Sequence, residues 1–97
     1  MRRAVYAASF LDEADQIANY IEAQFGKSHA DAFIDDLNRC CELVTSQPAV
    51  GRQNHGYDTP LYGVVHGVNW IFFQYDAAEA RFVHIVDGRR RKSAVAF

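Results

Sequence analysis

The sequence predicts an α+β fold in which a short N-terminal strand and an antiparallel helical hairpin pack on a three- to four-stranded antiparallel sheet. Three observations predict it. Apolar residues recur at helical spacing in the first half, the period changes to two beyond Pro60, and short polar turns separate the later apolar segments. With 97 residues, 49% of them hydrophobic and 23% charged, the chain is expected to form one folded domain over residues 1–97.

The first predicted elements are a strand and a helix. Residues 2–7 (RRAVYA) are short enough for an edge strand. Ser9 is expected to cap the following helix, because its hydroxyl can accept a hydrogen bond from an unpaired N–H, and acidic residues follow in the first turns. Gly26 is expected to end this helix. Its apolar residues recur every three or four positions: Phe10, Ala14, Ile17, Ile21 and Phe25.

A second helix is predicted directly afterwards. Ser28 is expected to cap it, with Asp31 three residues on, and Pro48 to end it. Because only about two residues connect the helices, they should form an antiparallel hairpin. The apolar stripe of the second helix comprises Ala30, Phe33, Leu37, Cys40 or Cys41, and Val44, with Ile34 and Leu43 widening it.

Beyond the helices the chain predicts an antiparallel meander. Residues 48–60 (PAVGRQNHGYDTP) predict a loop because they are rich in Gly, Pro, Asn and Asp. Three strands follow, at residues 61–66, 70–75 and 81–86. The first turn is expected at Gly67 or at residues 68–69 and the second at residues 76–79, and turns this short predict antiparallel pairing.

The middle strand of this meander is apolar on both faces. Trp70 and Phe72 should face one side, and Ile71, Phe73 and Tyr75 the other. A helical hairpin can cover only one face of the sheet. The other is expected to be covered by another protein chain, or alternatively by the N-terminal strand, the long loop or the C-terminal tail.

Charge is distributed unevenly along the chain. Residues 9–47 hold eight acidic and two basic residues, whereas residues 80–97 carry a net charge of +4. Four consecutive basic residues, Arg89, Arg90, Arg91 and Lys92, follow the last strand. This basic cluster can dock a carboxylate-rich segment, meet a target, or be a solvated tail. A pI near 6.0 argues against direct DNA binding.

The sequence offers little support for catalytic or metal chemistry. His84 is expected to alternate with Phe82 and Val86 on one strand face, where a lone histidine is more often structural than catalytic. His66 and His84 could approach each other on neighbouring strands, but no acidic or cysteine partner follows at metal-ligand spacing. We therefore expect no metal and no cofactor.

Two further features bear on the compartment. Adjacent residues on a helix point about 100° apart, so Cys40 and Cys41 are expected to be core residues rather than a disulfide. No apolar run reaches the roughly 20 residues that span a bilayer, and the N-terminus lacks the apolar core of a signal peptide. We expect a cytoplasmic protein without membrane contact.

The order of strand, helix, helix, loop, three strands and basic end resembles the RelE/ParE superfamily of toxins from type II toxin–antitoxin modules. Helix 1 of that family commonly has a Tyr near its end and a Phe-Gly step, matched by Tyr20 and Phe25-Gly26. A PxxGR step commonly follows helix 2, matched by residues 48–52, and a basic cluster commonly follows the last strand, matched by residues 89–92.

The resemblance implies a small bacterial toxin that a cognate antitoxin neutralises. RelE-like members are ribosome-dependent mRNA endonucleases, whereas ParE-like members poison DNA gyrase. The hairpin and the PxxGR loop are closer to the ParE-like branch. The resemblance therefore implies an inhibitor that binds protein, with DNA gyrase as the target.

Some positions depart from the family pattern. The first strand of the meander commonly carries Arg near Tyr62 or Gly63, the middle strand commonly ends in Tyr-Arg where this chain has Phe73-Gln74, and His is common at Asp87. An RNase needs cations and a group that activates the 2′-hydroxyl, so these departures weaken the endonuclease alternative. They also leave open a degenerate, non-toxic member that only binds antitoxin.

We expect two sets of site residues. Contacts with the target or the antitoxin are expected from Trp70, Phe72, Tyr75, Arg89, Arg90, Arg91 and Lys92. No catalytic residue is assigned unless the chain is an endonuclease, in which case His84 and Arg90 are the candidates.

Overall fold

The computed structural model describes residues 2–54 and 60–87, and it confirms the α+β fold class. Two helices pack on one face of a sheet whose strand order is β1-β5-β4-β3-β2. The elements in chain order are β1 (Arg3–Tyr6), α1 (Ala8–Phe25), α2 (Lys27–Ser46), a 3₁₀ turn (Pro48–Val50), β2 (Arg52–Asn54), β3 (Leu61–His66), β4 (Asn69–Tyr75) and β5 (Glu79–Asp87).

The sheet has five strands rather than the predicted three or four. The additional strand is β2, which pairs antiparallel with β3, so the loop prediction is wrong for residues 52–54. Even three residues there cover an edge that β3 would otherwise leave unpaired. β1 is an edge strand as predicted, but it runs parallel to β5. The meander of β3, β4 and β5 is confirmed.

A single residue joins the two helices. Gly26 has a φ of 100°, a conformation that side chains with a Cβ rarely adopt. Its N–H donates to the carbonyl of Glu22 at the end of α1, and its carbonyl accepts from the N–H of Ala30 in α2. The prediction that Gly26 ends the first helix is confirmed, and the same residue also begins the second.

The two predicted serine caps are wrong, because Ser9 and Ser28 lie inside the helices. Ala7 and Gly26 occupy the N-cap positions, and neither provides a side-chain cap. The Ser9 hydroxyl instead donates to the carbonyl of Val83 in β5, at 2.7 Å. A tertiary hydrogen bond has taken the place of the local one.

A bulge in β5 changes which side chains reach the core. Phe72 pairs with His84 and Phe73 with Phe82, so Val83 is an extra residue on β5. Phe82 and Ile85 are consequently both in the core, at 0% and 1% exposure. The predicted alternation of His84 with Phe82 on one face is therefore wrong.

The core lies between the helical hairpin and strands β4 and β5. Aromatic rings dominate it: the centroids of Tyr6, Phe10 and Phe82 lie 5.4 to 5.7 Å apart. The largest fully buried side chains are Phe10, Phe73, Phe82, Ile71, Ile85, Val44 and Cys41. The helices thus cover one face of the sheet, as predicted.

Candidate interaction surface

The face of the sheet opposite the helices is here called the outer face. Side chains alternate along a strand, so Trp70 and Phe72 lie on it because Ile71 and Phe73 are in the core. Residues paired across strands share a face, which extends the surface over the whole sheet. In the described part of the chain the outer face includes Arg52, Gly63, Val65, Trp70, Phe72, Gln74 and Arg81.

Trp70 and Phe72, two predicted contact residues, lie side by side on this face. Their ring centroids are 6.2 Å apart with an interplanar angle of 17°. Gly63 lies beneath them, since a Cβ there would approach Phe72 Cε1 to 3.2 Å and Trp70 Cε3 to 3.4 Å. Phe72 is only 8% exposed, so it offers a partner little surface. Trp70 is partly buried.

The exposed apolar surface of this side lies near the turn between β3 and β4. Val65 pairs with Trp70 and is 55% exposed, and Val68 in the turn is 51% exposed. Arg52 stands diagonally from Val65 on the neighbouring strand, and no carboxylate of the described residues pairs with it. This patch therefore combines exposed apolar groups with an available cation.

Tyr75 does not join the outer face. Its ring lies 4.9 Å from that of Tyr62 and 6.2 Å from that of Phe73, on the side that the helices cover. The pKa of Tyr62 is raised by desolvation and by the neighbouring Tyr75 hydroxyl. The structure thus separates Tyr75 from Trp70 and Phe72, and it gives Tyr75 an internal packing role.

Arg2 contacts Tyr75 and two backbone carbonyls near it. Its guanidinium carbon lies 5.5 Å from the centroid of the Tyr75 ring. Its Nε donates to the carbonyl of Asp76 at 2.7 Å, and its Nη1 donates to the carbonyl of Thr45 at 3.0 Å. Arg2 therefore joins the end of α2 to the turn between β4 and β5, a role that its sequence position did not indicate.

The PxxGR step has a packing explanation. A Cβ on Gly51 would lie 2.6 Å from Phe73 Cζ and 3.2 Å from Tyr62 Cβ, so only glycine fits against these rings. Arg52 follows on the opposite side of the strand and reaches the outer face. The glycine thus provides space within the core, and the arginine provides charge outside it.

His84 has an acidic partner that the sequence did not reveal. Its Nδ1 lies 3.1 Å from both carboxylate oxygens of Glu13 in α1, and Glu13 Oε1 also accepts from the N–H of Ile85. The predicted approach of His66 to His84 is wrong, because β4 separates their strands. The His84–Glu13 contact links residues 71 positions apart, beyond the range of any spacing motif.

The two sides of the molecule differ in charge. The helices α1 and α2 carry eight acidic and two basic residues, and both bases pair with acids of α2, Lys27 with Asp31 and Arg39 with Asp36. On the outer face Arg81 pairs with Glu79 at 3.1 Å, whereas Arg52 has no carboxylate partner among the described residues. The predicted contact residues Arg89, Arg90, Arg91 and Lys92 lie outside the described residues.

Cys41 lies in the core, as predicted, whereas Cys40 is only partly buried and packs against the core. Burial raises the pKa of Cys41 to about 12 and also raises the pKa of Cys40, so little reactive thiolate forms at neutral pH. Among the described residues, no group of three or more His, Cys, Asp or Glu side chains could hold a metal ion. Over the same residues, neither helix combines the length and apolar character needed to cross a bilayer.

This architecture is shared with a chain of known structure. A chain of the "Chromosomal ParDE TA system from P. aeruginosa" is similar to it with a TM-score of 0.75, over 90% of this chain and 96% of that chain. The two share 11% sequence identity, so the likeness establishes the fold alone.

Sequence comparison defines the family. The sequence model of the family described as "ParE toxin of type II toxin-antitoxin system, parDE" matches residues 4–92. The chain therefore belongs to the ParE toxin family, which confirms the resemblance drawn from the order of its motifs. A comparison with curated proteins gives no match.

Proposed function

We propose that this protein is a ParE-type toxin that inhibits DNA gyrase and is neutralised by a cognate antitoxin. The observation that carries the proposal is the family match over residues 4–92, which includes both helices and all five strands except Arg3, the first residue of β1. The paired toxin and antitoxin named in the similar ParDE structure also support an antitoxin partner. The protein acts in this proposal by binding another protein.

We further propose that the antitoxin binds across the outer face of the sheet. Val65, Val68 and the accessible part of Trp70 offer apolar contacts, while Arg52 and the sequence cluster Arg89–Lys92 offer cations. An antitoxin segment that alternates apolar and acidic side chains would complement this surface. Phe72 packs beside Trp70, and Tyr75 contributes through internal packing.

The alternative function, a RelE-like mRNA endonuclease, has less support. Phe73 stands where a Tyr is common in the resembling family, and its side chain is fully buried at 0% exposure. Gln74 stands where an Arg is common, so the outer face lacks that cation. A site for phosphoryl transfer depends on such cations to stabilise developing negative charge.

Controlled expression tests the function. The toxin is induced alone and together with the small protein encoded beside its gene, and growth is followed while purified toxin is added to a gyrase supercoiling assay. We expect growth arrest, loss of supercoiling activity, intact transcripts and rescue by the neighbouring protein. Codon-linked cleavage of transcripts would establish the endonuclease instead, and normal growth with well-folded toxin would establish a degenerate member.

Charge reversal tests the surface. Antitoxin affinity is measured by calorimetry for Arg52→Glu and for the matched control Arg39→Glu, which reverses an exposed charge on α2. We expect Arg52→Glu to weaken binding about tenfold, because it places like charges together, while Arg39→Glu stays within about twofold. Equal effects of the two variants would indicate that the antitoxin does not bind the outer face.

A further inference from the structure

The edge of β5 that faces away from β4 is bonded, over its C-terminal half, by side chains of α1 rather than by a strand. β1 pairs only with residues 79–82 of β5, which continues to Asp87. The last backbone hydrogen bond along this edge is donated by the N–H of Ala7 to the carbonyl of Phe82, at 2.9 Å. Beyond that point the edge of β5 has no neighbouring strand among the described residues.

Two side chains continue the ladder where the backbone stops. The Ser9 hydroxyl donates to the carbonyl of Val83 at 2.7 Å, and Glu13 Oε1 accepts from the N–H of Ile85 at 3.1 Å. Val83 and Ile85 are two positions apart, so their groups point to the same side of the strand. Ser9 and Glu13 are four positions apart and therefore lie on one face of α1.

Glu13 also fixes the side chain of His84 between these two contacts. Both of its carboxylate oxygens lie 3.1 Å from His84 Nδ1. One carboxylate thus engages a backbone N–H and the neighbouring ring together. The contacts adjoin the bulge at Val83, where the register of β5 against β4 changes.

We propose that Glu13 is a positioning residue that replaces a missing strand along β5. It holds the end of β5 in register, and from this end the chain runs through Gly88 into the cluster Arg89–Lys92. The link between this inference and toxicity rests on the proposed function. Removing the carboxylate leaves the N–H of Ile85 without this acceptor and removes the contact between His84 Nδ1 and α1.

Amide exchange measures this role directly. The full chain, labelled with ¹⁵N, is compared with Glu13→Ala, Glu13→Gln and the matched control Glu22→Ala, which removes an exposed carboxylate from the same helix. We expect Glu13→Ala to speed exchange of the Ile85 amide about tenfold relative to the Ile71 amide in β4. Glu13→Gln retains an oxygen acceptor and should stay within about threefold of the wild type.

Growth assays at matched protein levels give the functional readout. Glu13→Ala should weaken growth arrest, and Glu13→Gln should restore it. Unchanged exchange at Ile85 in Glu13→Ala, or an equal change in Glu22→Ala, would overturn the positioning role. Full arrest by Glu13→Ala would overturn its link to toxicity. A wild type that does not arrest growth would instead overturn the proposed function, while the exchange data would still decide the role of Glu13.

Discussion

Both faces of the sheet carry aromatic side chains, but these side chains are packed differently on the two faces. The face that the helices cover is here called the covered face. On the covered face, Phe73 and Phe82 are fully buried against two helices. On the outer face, Trp70 and Phe72 lie over a glycine, and Val65 beside them is 55% exposed. The comparison indicates that the covered face stabilises the fold, whereas the outer face can change with less effect on stability.

Truncation of a ring on the covered face should give the largest effect. Phe73→Ala removes a side chain at 0% exposure and should cost about 3–5 kcal/mol of unfolding free energy. Val65→Ala on the outer face should stay within about 0.5 kcal/mol. Urea unfolding followed by tryptophan fluorescence measures both. Similar losses in the two variants would contradict the division between the faces.

Glycine substitutions should sharpen the same comparison. Gly51→Ala places a Cβ 2.6 Å from Phe73 Cζ and should cost about 1–3 kcal/mol, because a buried ring must move. Gly63→Ala meets the outer rings at 3.2 and 3.4 Å and should cost under about 1 kcal/mol. Thermal unfolding of the two variants distinguishes them. A costlier Gly63→Ala would show that the outer rings are packed as tightly as the core.

Two neighbouring arginines offer a matched pair across the faces. Arg2 donates to the carbonyls of Thr45 and Asp76, so Arg2→Ala should cost about 1–2 kcal/mol. Arg3 is exposed and makes no ion pair with the described residues, so Arg3→Ala should stay within about 0.5 kcal/mol. Urea unfolding of both variants checks this. Equal costs would mean that charge, rather than the two specific bonds, matters.

The smallest effect should come from Asp76 and should depend on pH. Its pKa is lowered from 3.8 because its carboxylate accepts from the N–H groups of Glu79 and Ala78. A lowered folded-state pKa stabilises the protein above the unfolded pKa, and this stability is lost as the pH falls through the folded pKa. The melting temperature of the wild type should therefore exceed that of Asp76→Asn at pH 7. The difference should shrink as the pH falls below the unfolded pKa of 3.8 and disappear once the pH is below the lowered folded-state pKa.

A constant difference between these two proteins from pH 7 to pH 2.5 would contradict that assignment. It would mean that the asparagine changes the turn itself rather than its ionisation. Because Asp76 also accepts from Arg2 through its carbonyl, Arg2→Ala serves as the control for the integrity of this corner.

Periodicity predicted most of the fold because the helices and the meander are local patterns. The spacing of Phe10 and Ala14, and the alternation from Trp70 to Phe73, correctly assign buried and outer positions. Where a second element decides the outcome, the sequence was insufficient. Ser9 carries a capping side chain, yet its partner lies 74 residues away in β5.

The same limit applies to the candidate site. The pairing of Trp70 with Phe72 follows from strand alternation, and the structure places them together. The bulge at Val83 depends on how β5 pairs with β4, so the sequence of β5 alone could not reveal it. Glu13 could not be linked to His84 because the contact crosses most of the chain. Arg52 could have been found, since an arginine after a tightly packed glycine must point away from it.

The parallel pairing of the first and last strands has a consequence for synthesis on the ribosome. Arg3 pairs with Glu79 and Tyr6 with Phe82, so β1 can pair only after residues that are synthesised more than seventy positions later. The helical hairpin, joined by one glycine, needs no such delay and can assemble while the chain is still growing. We therefore expect nascent chains that lack β5 to contain the folded helical hairpin while β1 remains without its partner strand.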